Sequence, residues 1–230
     1  TVKNYELGVK STWLDGALKL NATWFRMDIA GFQDRAFDGV SFIVRNAGNL
    51  RQQGLEFDMV MAPTDNFSVS GSIAYLDSAF TDFATASNLP GLTGTQDLTG
   101  KPNTFSPEWS GTVALNWTGD LGGNMSWGLN TNVSFVSDQF VGTVNDSNPQ
   151  SRADGYALLG ARLTLYGPDE RWSVAIFGSN LTDTNYRPLS VYQPLGGALG
   201  LNNGVFPGST ANRVMANEPR TIGVAGTFKF

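Results

Sequence analysis

Six residues have the chemistry to hold an anionic or aromatic ligand, and all fall in long polar stretches: Arg35, Arg152, Arg187, Tyr192, Phe206 and Arg213. A guanidinium offers a planar fork of donors to a carboxylate or phosphate, and a ring offers a face for stacking. Beside them lie Asp138, Asn145, Asp146 and Asn148, whose side-chain oxygens are of the kind calcium takes, but whose spacing misses the EF-hand loop. No metal site is assigned to them. The sequence has no cysteine and no histidine, so thiolates, disulfides, the usual metal-binding imidazole and the usual general base are all missing. A Ser-His constellation cannot be built. The chemistry available is therefore capture without catalysis: no enzyme and no cofactor are expected.

Two other patterns carry little. The stretch Gly196-Gly197-Ala198-Leu199-Gly200, continuing through Asn202, Asn203 and Gly204, lacks the spacing of a phosphate loop and reads as an external loop. N-x-S/T sequons stand at Asn21, Asn66, Asn116, Asn124, Asn132, Asn145 and Asn180. Most fall in mid-strand, as by-products of a face rich in Asn, Ser and Thr.

The loops need a scaffold, and the sequence between them alternates. From Glu108 to Thr118, Trp109, Val113, Leu115 and Trp117 take one face while Ser110, Thr112, Ala114 and Asn116 take the other. A period of two is a strand. Trp109 and Trp117 are eight residues apart; at ~3.3 Å per residue this is about 26 Å. Tilted by roughly 40°, the segment rises about 20 Å, close to the apolar band of an outer-membrane barrel. The pattern recurs over Asn4–Leu14, Gly16–Asp28, Val40–Met61, Asn66–Tyr75, Met125–Phe135, Gly155–Tyr166, the run opened by Trp172, Val174 and Ile176, and the last ten residues. Nine strands are expected.

The connections alternate too. Asp15-Gly16, Pro63–Asn66, Gly119–Gly123 and Gly167–Arg171 are short and rich in turn formers, whereas 31–39, 83–104, 138–151 and 187–217 are long and polar. Short periplasmic turns opposite long external loops are the habit of outer-membrane barrels, and the last strand then ends at Phe230 on the periplasmic side. The fold class expected is all-β: a transmembrane antiparallel up-and-down β-barrel. Trp13, Trp117, Trp127 and Trp172 lie beside short turns and Trp24 and Trp109 near the other rim, so the six form membrane girdles. Glu6, Lys10, Glu56, Asp58 and Arg162 are expected toward the lumen, because Arg or Lys facing lipid at mid-depth costs ~2–4 kcal/mol.

Composition excludes other classes. Hydrophobic residues make up 41% of the chain, yet no run approaches the ~20 apolar residues of a membrane helix. The net charge of −5 argues against a nucleic-acid partner. Bacterial single-chain barrels use an even number of strands, and an open nine-strand sheet leaves backbone groups unpaired in lipid. Residues 1–230 are thus expected to be the C-terminal part of a larger barrel in a bacterial outer membrane.

Four motifs carry a resemblance. Asn4-Tyr5-Glu6-Leu7-Gly8-Val9-Lys10 with Leu14-Asp15-Gly16-Ala17-Leu18, Asn46-Ala47-Gly48 with Gly54-Leu55-Glu56, Asn180-Leu181-Thr182-Asp183 with Tyr186, and Glu218-Pro219-Arg220-Thr221 with Phe228-Lys229-Phe230 resemble, in order, the barrel motifs of TonB-dependent outer-membrane receptors. The resemblance implies about nine C-terminal strands of a 22-stranded barrel, with a plug domain and TonB box outside this chain. It also implies uptake of a scarce nutrient such as a ferric siderophore, with energy from the TonB complex acting through that plug. A metal chelate is the expected small-molecule ligand and membrane lipid the other partner. A passive porin-like channel and a structural or adhesive barrel are the alternatives. Strict alternation from Trp172 would turn Asn180 and Thr182 to lipid, so a bulge or register change is expected near Gly178.

Overall fold

The computed structural model describes residues 1–37, 41–90, 92, 94–193 and 211–230. Its long strands are β1 (Val2–Trp13), β2 (Leu18–Phe37), β3 (Phe42–Thr64) and β4 (Phe67–Asp82). After the short strands β5 (Ala86–Ser87) and β6 (Thr95–Gln96) come β7 (Trp109–Gly122) and β8 (Met125–Val136). The short β9 (Gln139–Phe140) and β10 (Arg152–Ala153) precede β11 (Tyr156–Tyr166) and β12 (Trp172–Ser179). The chain closes with β13 (Ser190–Gln193), β14 (Ala211–Val214) and β15 (Thr221–Phe228). Nine of these form one sheet in the order β1-β2-β3-β4-β7-β8-β11-β12-β15. Every pairing in it is antiparallel. The sheet is an open wall, with β1 and β15 at its two edges.

Local chemistry fixes each short turn. Asp15 adopts φ 53° and is followed by Gly16 at φ 98°. Thr64 donates its hydroxyl to Asn66 Oδ1 at 2.7 Å. Gly123 and Asn124 take φ 62° and 60°, and Asp169 takes 53°. Gly, Asn and Asp tolerate the left-handed region best and fill most of these positions, although Leu14 and Glu170 adopt it too, at φ 56° and 52°.

The register puts the two faces where alternation requires. Leu7 pairs with Trp24, Trp24 with Leu55, Leu55 with Tyr75, and Tyr75 with Trp109, making one row of large side chains across five strands. At the short-turn end, Trp117 meets Phe67 edge-on at 6.3 Å and Trp127 at 5.2 Å. The Trp127 indole crosses Gly119, where a Cβ would come within 2.6 Å of Nε1. The opposite face carries Lys10, Asn21, Asp58, Ser72, Thr112 and Ser134 in one continuous row.

One sequence expectation needs correction. The stretch 31–39 is not a free loop: β2 and β3 continue as a paired hairpin to Phe37 and Phe42, with residues 38–40 outside the described set. A bulge at Gly31, with φ 70°, hides this continuation by shifting the alternation by one residue. Ile29 and Phe32, of opposite parity, consequently pack against the same cluster of Ala47, Leu50, Phe80, Phe83, Ala86 and Leu98. That cluster lies at the long-loop end, beneath the 83–104 connection, which folds back through Leu98 N–H to Phe83 O and Phe80 N–H to Lys101 O.

The register change expected near Gly178 is present; β12 is regular through Gly178, paired with Ala161. The irregularity falls two residues later, at Asn180, with φ 47°. In regular register Leu181 would oppose Leu158, but its N–H bonds Leu159 O at 2.9 Å, one residue out of step. Leu181 therefore covers Gly178 on the apolar side, its Cδ2 2.7 Å from where a Cβ would stand. The amide of Asn180 turns back into the loop.

Candidate functional site

The long-loop rim gathers the groups able to bind. The exit of β12 and the entry to β15 are tied by the motif residues themselves. Asn180 Nδ2 donates to Thr184 O and Glu218 O, each at 3.0 Å, while its Oδ1 accepts from Thr184 N–H at 2.9 Å. Arg220 approaches Asp183 through Nη2 at 3.7 Å and through its backbone N–H at 3.3 Å. Asn217 Nδ2 adds a bond to Thr184 O at 3.1 Å. These bonds hold the segment 180–187 over the start of β11. There Tyr186 stacks on Tyr156, ring centres 4.1 Å apart and planes 20° apart.

Next to this stack, Arg187 Nη1 donates to Gln150 O at 2.7 Å and to Arg152 O at 3.3 Å. Arg152 pairs with Asp138, both side chains more than half exposed. Arg152, Tyr156, Asp183, Tyr186, Arg187 and Asn217 together border a hollow of about 810 Å³. Of the six sequence candidates, Arg152 and Arg187 meet here. Arg213, on β14, pairs across to Val191. Tyr192 borders a separate hollow of about 150 Å³ with Arg45 and Asp146. Arg35 lies on the β2–β3 hairpin, its guanidinium 4.4 Å from the centre of the Phe42 ring. Phe206 and the glycine-rich stretch 196–204 lie outside the described residues.

Sequence reading missed the Tyr156–Tyr186 pair, because the two rings are separated by thirty residues and by the whole β11–β12 hairpin. The signal was present in the Asn180 motif, whose Tyr186 needed a partner. Asp34 was missed as well. Its Oδ1 accepts from Asn145 Nδ2 at 2.9 Å in a buried contact, and its Oδ2 makes no hydrogen bond among the described residues.

The oxygen donors considered for calcium serve the loop instead. Asn145 Oδ1 accepts from Thr104 N–H, Asp146 Oδ1 from Asn148 N–H and Asn148 Oδ1 from Gln150 N–H, each at 3.0 Å. Asp138 is engaged with Arg152. Among the described residues no group of three acidic, histidine or cysteine side chains is placed to hold a metal.

The five charged wall residues, Glu6, Lys10, Glu56, Asp58 and Arg162, all lie on the polar face but are spread over it. Lys10 and Asp58 both flank Asn21 in register, and Glu56 lies between Thr23 and Ala74. Glu6 accepts from Asn4 Nδ2 at 2.6 Å. Arg162 reaches the Phe177 ring at 5.3 Å. All six tryptophans lie on the other face. Trp24 and Trp109 share the row described above, and Trp13, Trp117, Trp127 and Trp172 stand at the short-turn end.

One apolar face bounded by aromatic rows, one polar face, and short turns opposite long loops define the wall of an outer-membrane β-barrel. Residues 1–181 match the family described as TonB dependent receptor-like, beta-barrel. The chain belongs to that family, an outer-membrane family.

The ferric yersiniabactin uptake receptor FyuA from Yersinia pestis is similar with a TM-score of 0.70 at 20% identity, over 100% of this chain and 30% of its own. The siderophore receptor PiuA from Acinetobacter baumannii gives 0.66 at 16% identity, over 98% of this chain and 28% of its own. For the unliganded ferric citrate transporter FecA the values are 0.65 and 25%, over 100% of this chain and 31% of its own. The chain spans less than a third of the length of these proteins.

Proposed function

We propose that this chain is the C-terminal portion of the barrel of an active-transport receptor that takes up a ferric siderophore, with energy delivered through TonB to a plug domain encoded outside these residues. The observation that carries the reading is the hollow at the long-loop rim. It sets the arginine pair Arg152 and Arg187 beside the Tyr156–Tyr186 stack. Forked donors suit the carboxylate or phenolate oxygens of a metal chelate, and ring faces suit its organic frame. The names of the similar structures, among them a ferric yersiniabactin uptake receptor and a ferric citrate transporter, support the same class of cargo.

In this reading the apolar face meets lipid, and the six tryptophans anchor it at both interfaces. The polar face, with Glu6, Lys10, Glu56, Asp58 and Arg162, lines the lumen against the plug. No bond of the ligand is broken by this chain; the loops capture it and the plug lets it pass. The test is uptake of radiolabelled ferric chelates by cells grown under iron limitation. Deleting the gene that carries this sequence abolishes uptake of at least one chelate, and restoring the full-length gene recovers it. Unchanged uptake of every chelate after deletion overturns the siderophore reading, and ion conductance by the purified full-length protein without energy input favours a passive channel.

A further inference from the structure

Four charged side chains stand on the wall of the hollow beside the Tyr156–Tyr186 stack: Arg152, Asp154, Asp183 and Arg187. Two of them are already answered. Arg152 donates through both Nε and Nη2 to one oxygen of Asp138, so its fork is occupied by a carboxylate of the protein itself. Asp183 is engaged by Arg220, through the guanidinium and through the backbone N–H.

Arg187 and Asp154 are left, one of each sign. Arg187 donates only to backbone carbonyls, those of Gln150 and Arg152, which orient the guanidinium without neutralising it. Asp154 is exposed between β10 and β11, and among the described residues its side chain has no hydrogen-bond or ion-pair partner. The two do not reach each other within the ~4 Å of an ion pair. The stack holds them to one hollow all the same. Asp154 lies two residues before Tyr156, Arg187 follows Tyr186, and the two rings are 4.1 Å apart. Exposed Val214 and Met215 on the same wall supply apolar surface for an uncharged part of a ligand. A purely anionic ligand gains from Arg187 and is repelled by Asp154, and a purely cationic one meets the reverse. Only a ligand carrying both signs satisfies both groups.

We propose that the hollow selects a chelate with a zwitterionic arm, a pendant free amino acid group whose ammonium meets Asp154 and whose carboxylate meets Arg187. The tyrosine pair and the apolar wall then take the organic frame around the metal. The inference deepens the ferric-chelate reading given under Proposed function and rests on it.

The test titrates the full-length receptor, by fluorescence quenching, with ferric hydroxamate, catecholate and hydroxycarboxylate chelates. Each is made in three forms: with a pendant free amino acid, with its amine acetylated, and with its carboxyl amidated. At least one core binds, and for that core the free amino acid form binds roughly three- to fivefold more tightly than either blocked form, the range of an exposed ion pair. Asp154→Asn loses the preference over the acetylated form and keeps the preference over the amidated one. Arg187→Gln does the reverse. Because Arg187 also ties two loop carbonyls, the deciding variant is Asp154→Asn, whose side chain supports nothing else in the fold. No preference in the parent, or a preference over the acetylated form that Asp154→Asn leaves undiminished, overturns the zwitterionic arm and leaves the chelate reading standing. Failure of every core to bind removes the chelate reading and this inference with it.

Discussion

Tyr186 stacks on Tyr156 with ring centres 4.1 Å apart, although one belongs to the loop after β12 and the other opens β11. The contact fixes the floor of the arginine-bordered hollow, because the segment carrying Tyr186 also carries Arg187. An aromatic pair is worth about 0.5–1.5 kcal/mol beyond its buried area. If the proposed cargo is right, Tyr186→Ala should therefore weaken binding of a ferric chelate by roughly two- to tenfold, while Tyr186→Phe, which keeps the ring, should bind as the parent does. Fluorescence quenching titrations of the full-length receptor check this. Equal affinities in all three proteins would take the stack out of the ligand site.

Asn180 has two jobs that substitutions separate. It adopts a left-handed backbone, and its side chain makes three hydrogen bonds to Thr184 and Glu218. Asn180→Gly keeps the backbone and loses the bonds, at about 1–3 kcal/mol. Asn180→Ala adds the cost of a left-handed Cβ, about 1 kcal/mol more. Heat-modifiable mobility of the full-length barrel on gels should fall in the order parent, Gly, Ala. An alanine variant as stable as the glycine one would show that the backbone conformation is incidental.

Gly54 and Gly48 explain why the Asn46–Glu56 motif carries glycines at all. At each, a Cβ would collide with a carbonyl oxygen of β4, that of Tyr75 for Gly54 and that of Asp82 for Gly48. Gly54→Ala must push β4 away from β3, exposing ladder groups that cost roughly several kcal/mol each in lipid. Gly128→Ala is the control, since its nearest neighbours, Tyr166 Cε2 at 3.6 Å and Thr118 Cγ2 at 3.7 Å, leave ordinary contact room. Membrane assembly of the full-length protein should fail for Gly54→Ala and proceed for Gly128→Ala.

What the sequence disclosed follows from the period of two. A wall with one apolar and one polar face must alternate, so the nine strands, the short turns and the six tryptophans could be read residue by residue. The rim was less legible for the opposite reason. At Gly31 one inserted residue moves Phe32 to the side of Ile29, and a search for alternation ends where the hairpin continues. At Asn180 the expected irregularity exists but two residues beyond the glycine that suggested it, because a left-handed asparagine with three bonds ends the ladder more firmly than a flexible residue does. Contacts such as Asp34 with Asn145, 111 residues apart, are made by loops folding over one another and leave no local pattern.

That last contact gives the loop a pH dependence whose sign can be worked out. Asp146 is buried, and its carboxyl is pushed up to about 6, first by loss of solvent and further by the nearby Asp34 carboxylate, against the opposing Asn148 N–H. Burial raises Asp34 too, against the hydrogen bond from Asn145 and the charge of Arg45. A carboxyl whose folded pKa lies above its free value of 3.8 binds its proton more tightly when folded. Its stabilising contribution is therefore complete below that free value and is lost as pH rises through about 6. The segment 141–151 should accordingly loosen as pH rises from about 4 to about 8. Hydrogen exchange of the full-length receptor, corrected for the intrinsic rate, would show this as falling protection in that segment. Asp146→Asn keeps the oxygen that accepts from Asn148 N–H and removes one of the two raised carboxyls, so its protection should fall less steeply than the parent's across the same range. A variant that loosens with pH as steeply as the parent would transfer the effect to Asp34, whose carboxyl is the other one in the cluster.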